Sequence, residues 1–248
     1  MTAAEKKVLP DYPPAESKQS SEQSLSNKIG YWLKRNYLTL INIALAIYLL
    51  LPLLAPVLMK TGRSRAADVI YRLYKPLCHQ LAYRSFFLFG EQAAYPRELA
   101  GMDGLLTYEV ATGMDGDDMA AASAFRGNEQ LGYKVALCQR DLAIYASLLL
   151  FGLVFALTGR KLKPLPWIAW IILALGPMGL DGMSQLVSQM DFPSLNWFAM
   201  RESTPFLRVL TGAMFGWFTA WFGLPSIEEI INEKKSTSLA IATPSKRT

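Results

Sequence analysis

Two short motifs contain the residues of this chain that could bind a metal ion or do thiol chemistry. The first, YKPLCHQLAYRSFFLFG, places Cys78 beside His79, the one histidine of the sequence, and Arg84 follows. The second contains Cys138 and Asp141, whose spacing of three residues puts both side chains on one face of an α-helix. A cysteine in such a setting can hold a metal ion, form a disulfide or act as a nucleophile. Which of these applies depends on where the motifs lie relative to a membrane.

Four apolar segments predict an all-α, polytopic membrane protein. Hydrophobic residues make up 52% of the chain, and each segment approaches the roughly 20 residues that an α-helix needs to cross the hydrocarbon core. The predicted transmembrane helices cover residues of about 38–59, 138–159, 165–187 and 205–224. They form a four-helix membrane domain, residues 28–232, with a long extracytoplasmic loop, residues 60–137. The polar ends, residues 1–27 and 233–248, are predicted to be a disordered cytoplasmic leader and tail.

The basic residues indicate which side of the membrane each segment faces. The net charge is +5, and the Lys and Arg residues mainly flank the apolar segments, which is the pattern of membrane topology and not of nucleic-acid binding. Short basic loops stay in the cytoplasm, so the loop with Arg160, Lys161 and Lys163 places both termini inside and the long loop outside. The basic residues that follow the first helix oppose this orientation. The sequence therefore predicts a multi-pass protein of the cell membrane.

Polar residues collect at the outer ends of the predicted helices. Asp181 and Arg208 lie within the predicted third and fourth helices, where an unpaired charge is costly, so Asp181 is expected to pair with Arg208 or Arg140. The whole polar cluster consists of Arg84, Arg140, Asp181, Gln185, Arg201, Glu202 and Arg208. Two interpretations stay open: a functional site, and a network that only holds the helices together.

The predicted fourth helix carries local signals for its start and for its packing. Thr204 and Pro205 are typical of an N-cap and a first helical residue. Gly212, Gly216 and Ala220 form a row of small residues four apart, which favours close packing against a neighbouring helix.

The chain resembles the domain of unknown function 2085 family of predicted membrane proteins in four motifs that occur in the family's order: CHQLAYRSFFLFG, CQRDLAIY, LDGMSQL and RESTPFLRVLTGAMFG. The resemblance covers residues of roughly 73–223. In the family pattern the second motif reads Cys-x-Arg-Cys-x-Gly-Ile-Tyr. Here Asp141 stands at the position of the second cysteine and Ala143 at that of the glycine. The resemblance implies a shared site but no activity.

With the family pattern in view, the two motifs suggest a ligand set for a metal ion. Three cysteines and one histidine suit a tetrahedral Zn²⁺ site, and an aspartate in place of one cysteine keeps an anionic ligand. The candidate set for Zn²⁺ or another divalent metal is Cys78, His79, Cys138 and Asp141. A Cys78–Cys138 disulfide is the alternative in an oxidising outer compartment, and it would close a loop of about 60 residues. A catalytic thiolate is the third alternative and has the least support.

The expected function follows from this cluster. We expect an integral membrane protein whose Cys/His/Asp/Arg cluster at the extracytoplasmic face binds a metal ion or a small anionic ligand. The alternative is a non-catalytic scaffold or accessory subunit whose cluster, with the disulfide, only fixes helix packing. The lipid bilayer is the expected environment, nucleic acid is not an expected partner, and a protein partner would be another membrane protein or a second copy of the chain. Whether the chain is an enzyme stays open.

Overall fold

The structure, a computed structural model, describes residues 16–188 and 201–242, and these are mostly helical. The chain divides into two compact units, residues 1–39 and residues 40–248. The described part of the first unit is the N-terminal part of helix α1 (Glu16–Lys60). The helices that follow are α2 (Ser64–Tyr74), α3 (Tyr108–Thr112), α4 (Met119–Ala124), α5 (Gln139–Leu157), α6 (Trp167–Trp170), α7 (Gly176–Ser188) and α8 (Pro205–Ala242). The strands are β1 (Ser85–Leu88), β2 (Gly127–Asn128) and β3 (Gly132–Cys138).

Three helical stretches in the described residues are long and apolar enough to cross a membrane. They are Asn27–Lys60, Gln139–Leu157 and Trp167–Ser188, and they match the first three predicted transmembrane helices. The third consists of α6, a π-helical turn at Ile171–Leu175 and α7 in direct succession.

Helix α8 is not among these three candidate spans. It begins at Pro205 as predicted, and the Leu207 amide donates a hydrogen bond to Thr204 Oγ1 over 3.2 Å. The charge of Arg208 and the glycines and tryptophans that follow make its first twenty residues less apolar than the other stretches. The described residues therefore contain three candidate spans where the sequence predicted four.

The long loop between the first two spans contains a small antiparallel sheet, so the prediction of an all-α fold is wrong here. The strand order is β1-β3-β2, and Ser85 of β1 pairs with Cys138 of β3. Two of the four residues of SFFL are phenylalanines, and GYKVALC contains Tyr133 and Val135, residue types that favour strands. Gly132, at φ +79°, lets the β1 and β3 backbones approach, because a Cβ there would lie 2.5 Å from the Leu88 carbonyl oxygen.

Two buried clusters make this loop a folded layer. The first joins the end of α1 to α2 and β3 through Ala55, Ala67, Ile70, Tyr71, Tyr74, Cys78, Ala136 and Leu137. The second lies beside the sheet and contains Leu81, Ala82, Tyr83, Phe87, Tyr95, Tyr108, Ala122 and Leu131. Burial of one large apolar side chain contributes about 1.5 to 3 kcal/mol, so each cluster stabilises its part of the loop substantially.

Helices α5 and α8 pack along the predicted row of small residues, which confirms that prediction. A Cβ at Gly216 would lie 2.2 Å from the Ile144 carbonyl oxygen, and one at Gly212 would lie 2.7 Å from the Arg140 carbonyl oxygen. Ala220 is buried. The backbones of α5 and α8 are thus in direct contact at Gly212 and Gly216, which have no side chain.

The helices extend into both polar ends that were predicted to be disordered. Helix α1 begins at Glu16, and α8 continues to Ala242. Once an apolar span has nucleated a helix, each added polar residue costs little, which explains how such segments continue it. Residues 1–15 and 243–248, which belong to the same predictions, lie outside the described residues.

Candidate metal centre

A tight turn after α2 positions the first cysteine. The amides of Leu77 and Cys78 both donate hydrogen bonds to the Tyr74 carbonyl, each over 3.0 Å. Cys78 is buried with 7% of its surface exposed, because it packs in the cluster that joins α2 to β3. The Gln80 amide donates to the Cys78 sulfur over 3.4 Å. The sulfur is thus held in place by the chain on both sides of it.

The second cysteine lies where strand β3 becomes helix α5. Cys138 is the N-cap of α5, and its sulfur accepts a hydrogen bond from the Asp141 amide over 3.5 Å. The pairing of Ser85 with Cys138 brings this junction next to the segment that follows Cys78. The small sheet therefore joins the two sequence motifs.

Three potential ligands meet at this junction. Within the described residues, the sulfurs of Cys78 and Cys138 and a carboxylate oxygen of Asp141 all lie within 4.8 Å of one another. Zn–S distances of about 2.3 Å place two sulfurs of a tetrahedral site roughly 3.7 Å apart. The three atoms are therefore at most about 1 Å farther apart than a bound ion requires, and small rotations of the side chains would close that gap.

Both cysteines are free thiols in the structure, so the predicted disulfide is not formed in it. A hydrogen bond between the two thiols lowers the pKa of Cys78 and raises that of Cys138, whose burial acts in the same direction. Deprotonation is therefore favoured at Cys78 over Cys138.

A cavity of about 310 Å³ opens beside the three ligands. Cys78, Cys138 and Asp141 lie in its wall together with three arginines, Arg84, Arg140 and Arg208. His79, Gln80 and Gln185 also line it. An ion held by the three ligands would therefore face a space with cationic walls.

His79 lines the cavity but is not one of the three groups that come together. The residue is exposed, and its carbonyl accepts a hydrogen bond from Ser123 Oγ over 2.7 Å. The two motifs predicted four ligands, and His79 as the fourth therefore stays a prediction.

The predicted polar cluster forms two networks, each built around one buried carboxylate. Asp181 accepts hydrogen bonds from Arg140, from Ser203 Oγ over 2.8 Å and from Arg201 over 3.3 Å, with Gln185 at 3.4 Å. The expected pairing of Asp181 with Arg140 is confirmed, and Arg208, the other expected partner, pairs elsewhere.

Glu202 is the centre of the second network. One of its carboxylate oxygens accepts hydrogen bonds from Arg208 over 2.6 Å and from Arg84 over 2.9 Å. Arg97 lies 3.9 Å from the other oxygen. The Glu202 and Arg208 side chains are almost fully buried, with 2% and 5% exposed. Glu202 thus ties the first motif to the start of α8.

Lys134 is a residue of this region that the sequence did not indicate. Its ammonium group is fully buried and donates to the carbonyls of Gln80 over 2.6 Å and Ser123 over 2.9 Å. Burial lowers the pKa of Lys134 to about 7, and the neighbouring Arg126 acts in the same direction. Gln80 has a left-handed backbone, φ +54°, so these bonds hold a strained turn beside Cys78. A lysine inside the otherwise apolar segment YKVALC is the sequence signal that could have indicated a buried charge here.

Residues 126–222 match the model of a family described as predicted membrane protein (DUF2085). This confirms the resemblance that the motifs indicated. The matched residues include Cys138, Asp141, Asp181 and Arg208, whereas the motif with Cys78 precedes them.

The chain is also similar to a protein of Methanocaldococcus jannaschii that is described as uncharacterized. The two are 25% identical over 209 residues, which cover 81% of this chain and 98% of the relative. No solved structure matches the chain. These comparisons support the interpretation of the chain as a membrane protein, and they indicate no activity.

Proposed function

We propose that this protein is a metal-binding membrane protein that holds a thiophilic divalent ion, preferably Zn²⁺, through Cys78, Cys138 and Asp141. The observation that carries the proposal is the convergence of these three ligand atoms within 4.8 Å of one another at the wall of a cavity. Two sulfurs and one carboxylate are suited to Zn²⁺, whereas Mg²⁺ and Ca²⁺ prefer oxygen ligands.

The proposed centre has three protein ligands and one open position. Structural zinc sites are closed by four protein ligands, whereas sites that act on a ligand keep one position for water or substrate. The cavity lies on the open side, and its arginine side chains favour an anion there. The site would therefore bind a metal ion together with an anionic ligand or water.

We further propose that α8 crosses the membrane as a fourth span and that the centre faces the outside of the cell membrane. The support is the close packing of α8 on α5, which is itself a candidate span, and the basic loop at residues 160–163. With both termini in the cytoplasm, the centre lies at the outer end of α5.

Cobalt titration tests the proposed centre. Purified full-length protein, reduced and freed of metal, is expected to bind one Co²⁺ per chain and to develop a thiolate-to-cobalt charge-transfer band. Cys78→Ser and Cys138→Ser should remove most of the band, and Asp141→Asn should weaken binding about tenfold or more.

Asp103→Asn is the matched control, because Asp103 is an exposed aspartate of the same loop. It should titrate like the unmodified protein. His79→Ala separates a centre with three protein ligands, which keeps the band, from one with four. Absence of a saturable band, or a band that survives in the Cys78→Ser/Cys138→Ser double variant, contradicts the proposal.

A structural role for the cluster is the second candidate function. It is favoured by Asp181 and Glu202, whose ion pairs connect the loop, α5, α7 and the start of α8. In that case purified protein should bind no cobalt, and Cys78 and Cys138 should resist alkylation until a reductant is added, as in a disulfide.

A further inference from the structure

The geometry points to a second ligand in the cavity: a phosphate group, held by Arg84, Arg140 and Arg208. All three arginines line the cavity of about 310 Å³ beside the proposed metal centre. Arginine presents several N–H donors in a planar fork that matches phosphate oxygens in pairs. This inference names the ligand class of the cavity that the proposed function uses, but it rests on the arginines and not on the metal ion.

The charges around the cavity are unbalanced in favour of an anion. Four guanidinium groups share only two carboxylates: Arg140 and Arg201 pair with Asp181, and Arg84 and Arg208 pair with Glu202. These networks alone leave two excess positive charges, and Asp141, a third carboxylate that lines the cavity, offsets one of them. A partly buried excess of positive charge is costly, and an anion in the cavity would offset it.

Donors remain for such a ligand after the ion pairs are made. The Nε–H of Arg140 is buried and has no hydrogen-bond partner in the described structure. A ligand oxygen could satisfy this donor if the Arg140 side chain turned it toward the cavity, because the nitrogen is not accessible to solvent where it now lies. Arg84 uses its Nε for Glu202, and 37% of its side chain is exposed. Its terminal nitrogens can therefore turn to a ligand from the open side.

The size of the cavity limits what the phosphate can be attached to. Small-molecule sites span about 300 to 1,000 Å³, and a volume of about 310 Å³ lies at the lower end. Inorganic phosphate or the headgroup of a lipid with a phosphomonoester fits this volume. The cavity adjoins the start of candidate span Gln139–Leu157, so a lipid phosphate would lie at a suitable depth.

The inference is tested on full-length protein in phosphatidylcholine nanodiscs, in buffer that contains EDTA and no phosphate. Added inorganic phosphate is expected to raise the melting temperature saturably. In a second arm, nanodiscs that also contain phosphatidic acid should raise it without added phosphate. A response in either arm supports the phosphate site, and the two arms distinguish a free ion from a headgroup.

Arg84→Gln is expected to weaken phosphate binding about tenfold or more, since a charged donor is lost from the wall. Arg63→Gln is the matched control, because Arg63 is exposed and is not among the residues that line the cavity. If Arg84→Gln does not fold, Arg84→Lys takes its place: it keeps the charge but loses the planar fork, so phosphate should again bind more weakly.

No stabilisation in either arm, or equal phosphate affinity in Arg84→Gln and Arg63→Gln, overturns the inference. Stabilisation that appears only when EDTA is left out of the buffer also overturns it, because the anion would then depend on a metal ion. The Cys78→Ser/Cys138→Ser variant distinguishes the two proposals. It should bind phosphate even where it binds no cobalt, so failure of the metal centre leaves the phosphate site standing.

Discussion

Replacing Glu202 by glutamine is expected to destabilise the protein by about 3 to 5 kcal/mol. Glu202 is buried and holds the charges of Arg84 and Arg208 with one oxygen. Glutamine keeps the size of the side chain but removes the negative charge and presents N–H donors to the arginines. Arg208 is then a buried cation without a carboxylate. Thermal unfolding in detergent, followed by tryptophan fluorescence, should show a melting temperature lower by roughly 6 to 20 °C.

Glu129→Gln is the control for this substitution, because Glu129 is exposed in the turn between β2 and β3. This variant should change the free energy of unfolding by no more than about 0.5 kcal/mol, as an ordinary surface substitution does. Its melting temperature should therefore stay close to that of the unmodified protein. The double variant Glu202→Gln/Arg208→Gln should lose less stability than the two single losses added together, because it removes the orphaned charge as well. Strict additivity would show that the two side chains are not coupled.

Gly216→Ala is expected to cost about 3 kcal/mol or more, at or above the usual range for overpacking. The new methyl group would lie 2.1 Å from Ser147 Oγ and 2.2 Å from the Ile144 carbonyl oxygen. A serine side chain can rotate away, but a backbone carbonyl inside α5 cannot. The helices must therefore separate along the whole contact, and the melting temperature in detergent should fall accordingly.

Gly223→Ala provides a close comparison for this change. Gly223 lies on the same helix two turns later, and a Cβ there would meet nothing within 4 Å. Because alanine is the better helix former, this variant should be as stable as the unmodified protein or slightly more stable. Equal losses at Gly216 and Gly223 would mean that α5 and α8 do not pack as the structure has them.

The parts of the fold that could be predicted from the sequence depend on local signals. The start of α8 at Pro205 follows from the fixed φ of proline and the hydroxyl of Thr204. The apolar stretches follow from composition alone. Cys138 and Asp141 are three residues apart at a helix start, so their proximity is also a local property.

The remaining features depend on contacts between distant residues. The β1–β3 pairing joins Ser85 to Cys138, and strands of four and seven residues give too little periodicity to be recognised within a long loop. The choice of Arg140 over Arg208 as partner of Asp181 depends on the rotation of α5, α7 and α8 about their axes. From the sequence, the charges of Arg140 and Arg208 and their expected depth in the membrane allowed either arginine to pair with Asp181.

X-ray absorption at the zinc edge of the zinc-loaded, desalted protein tests the proposed metal centre most directly. A centre formed by Cys78, Cys138 and Asp141 predicts about one zinc per chain with two sulfur neighbours at about 2.3 Å and nitrogen or oxygen neighbours at about 2.0 to 2.2 Å. Protein that retains no zinc after desalting, or zinc surrounded by oxygen and nitrogen without sulfur, would contradict it.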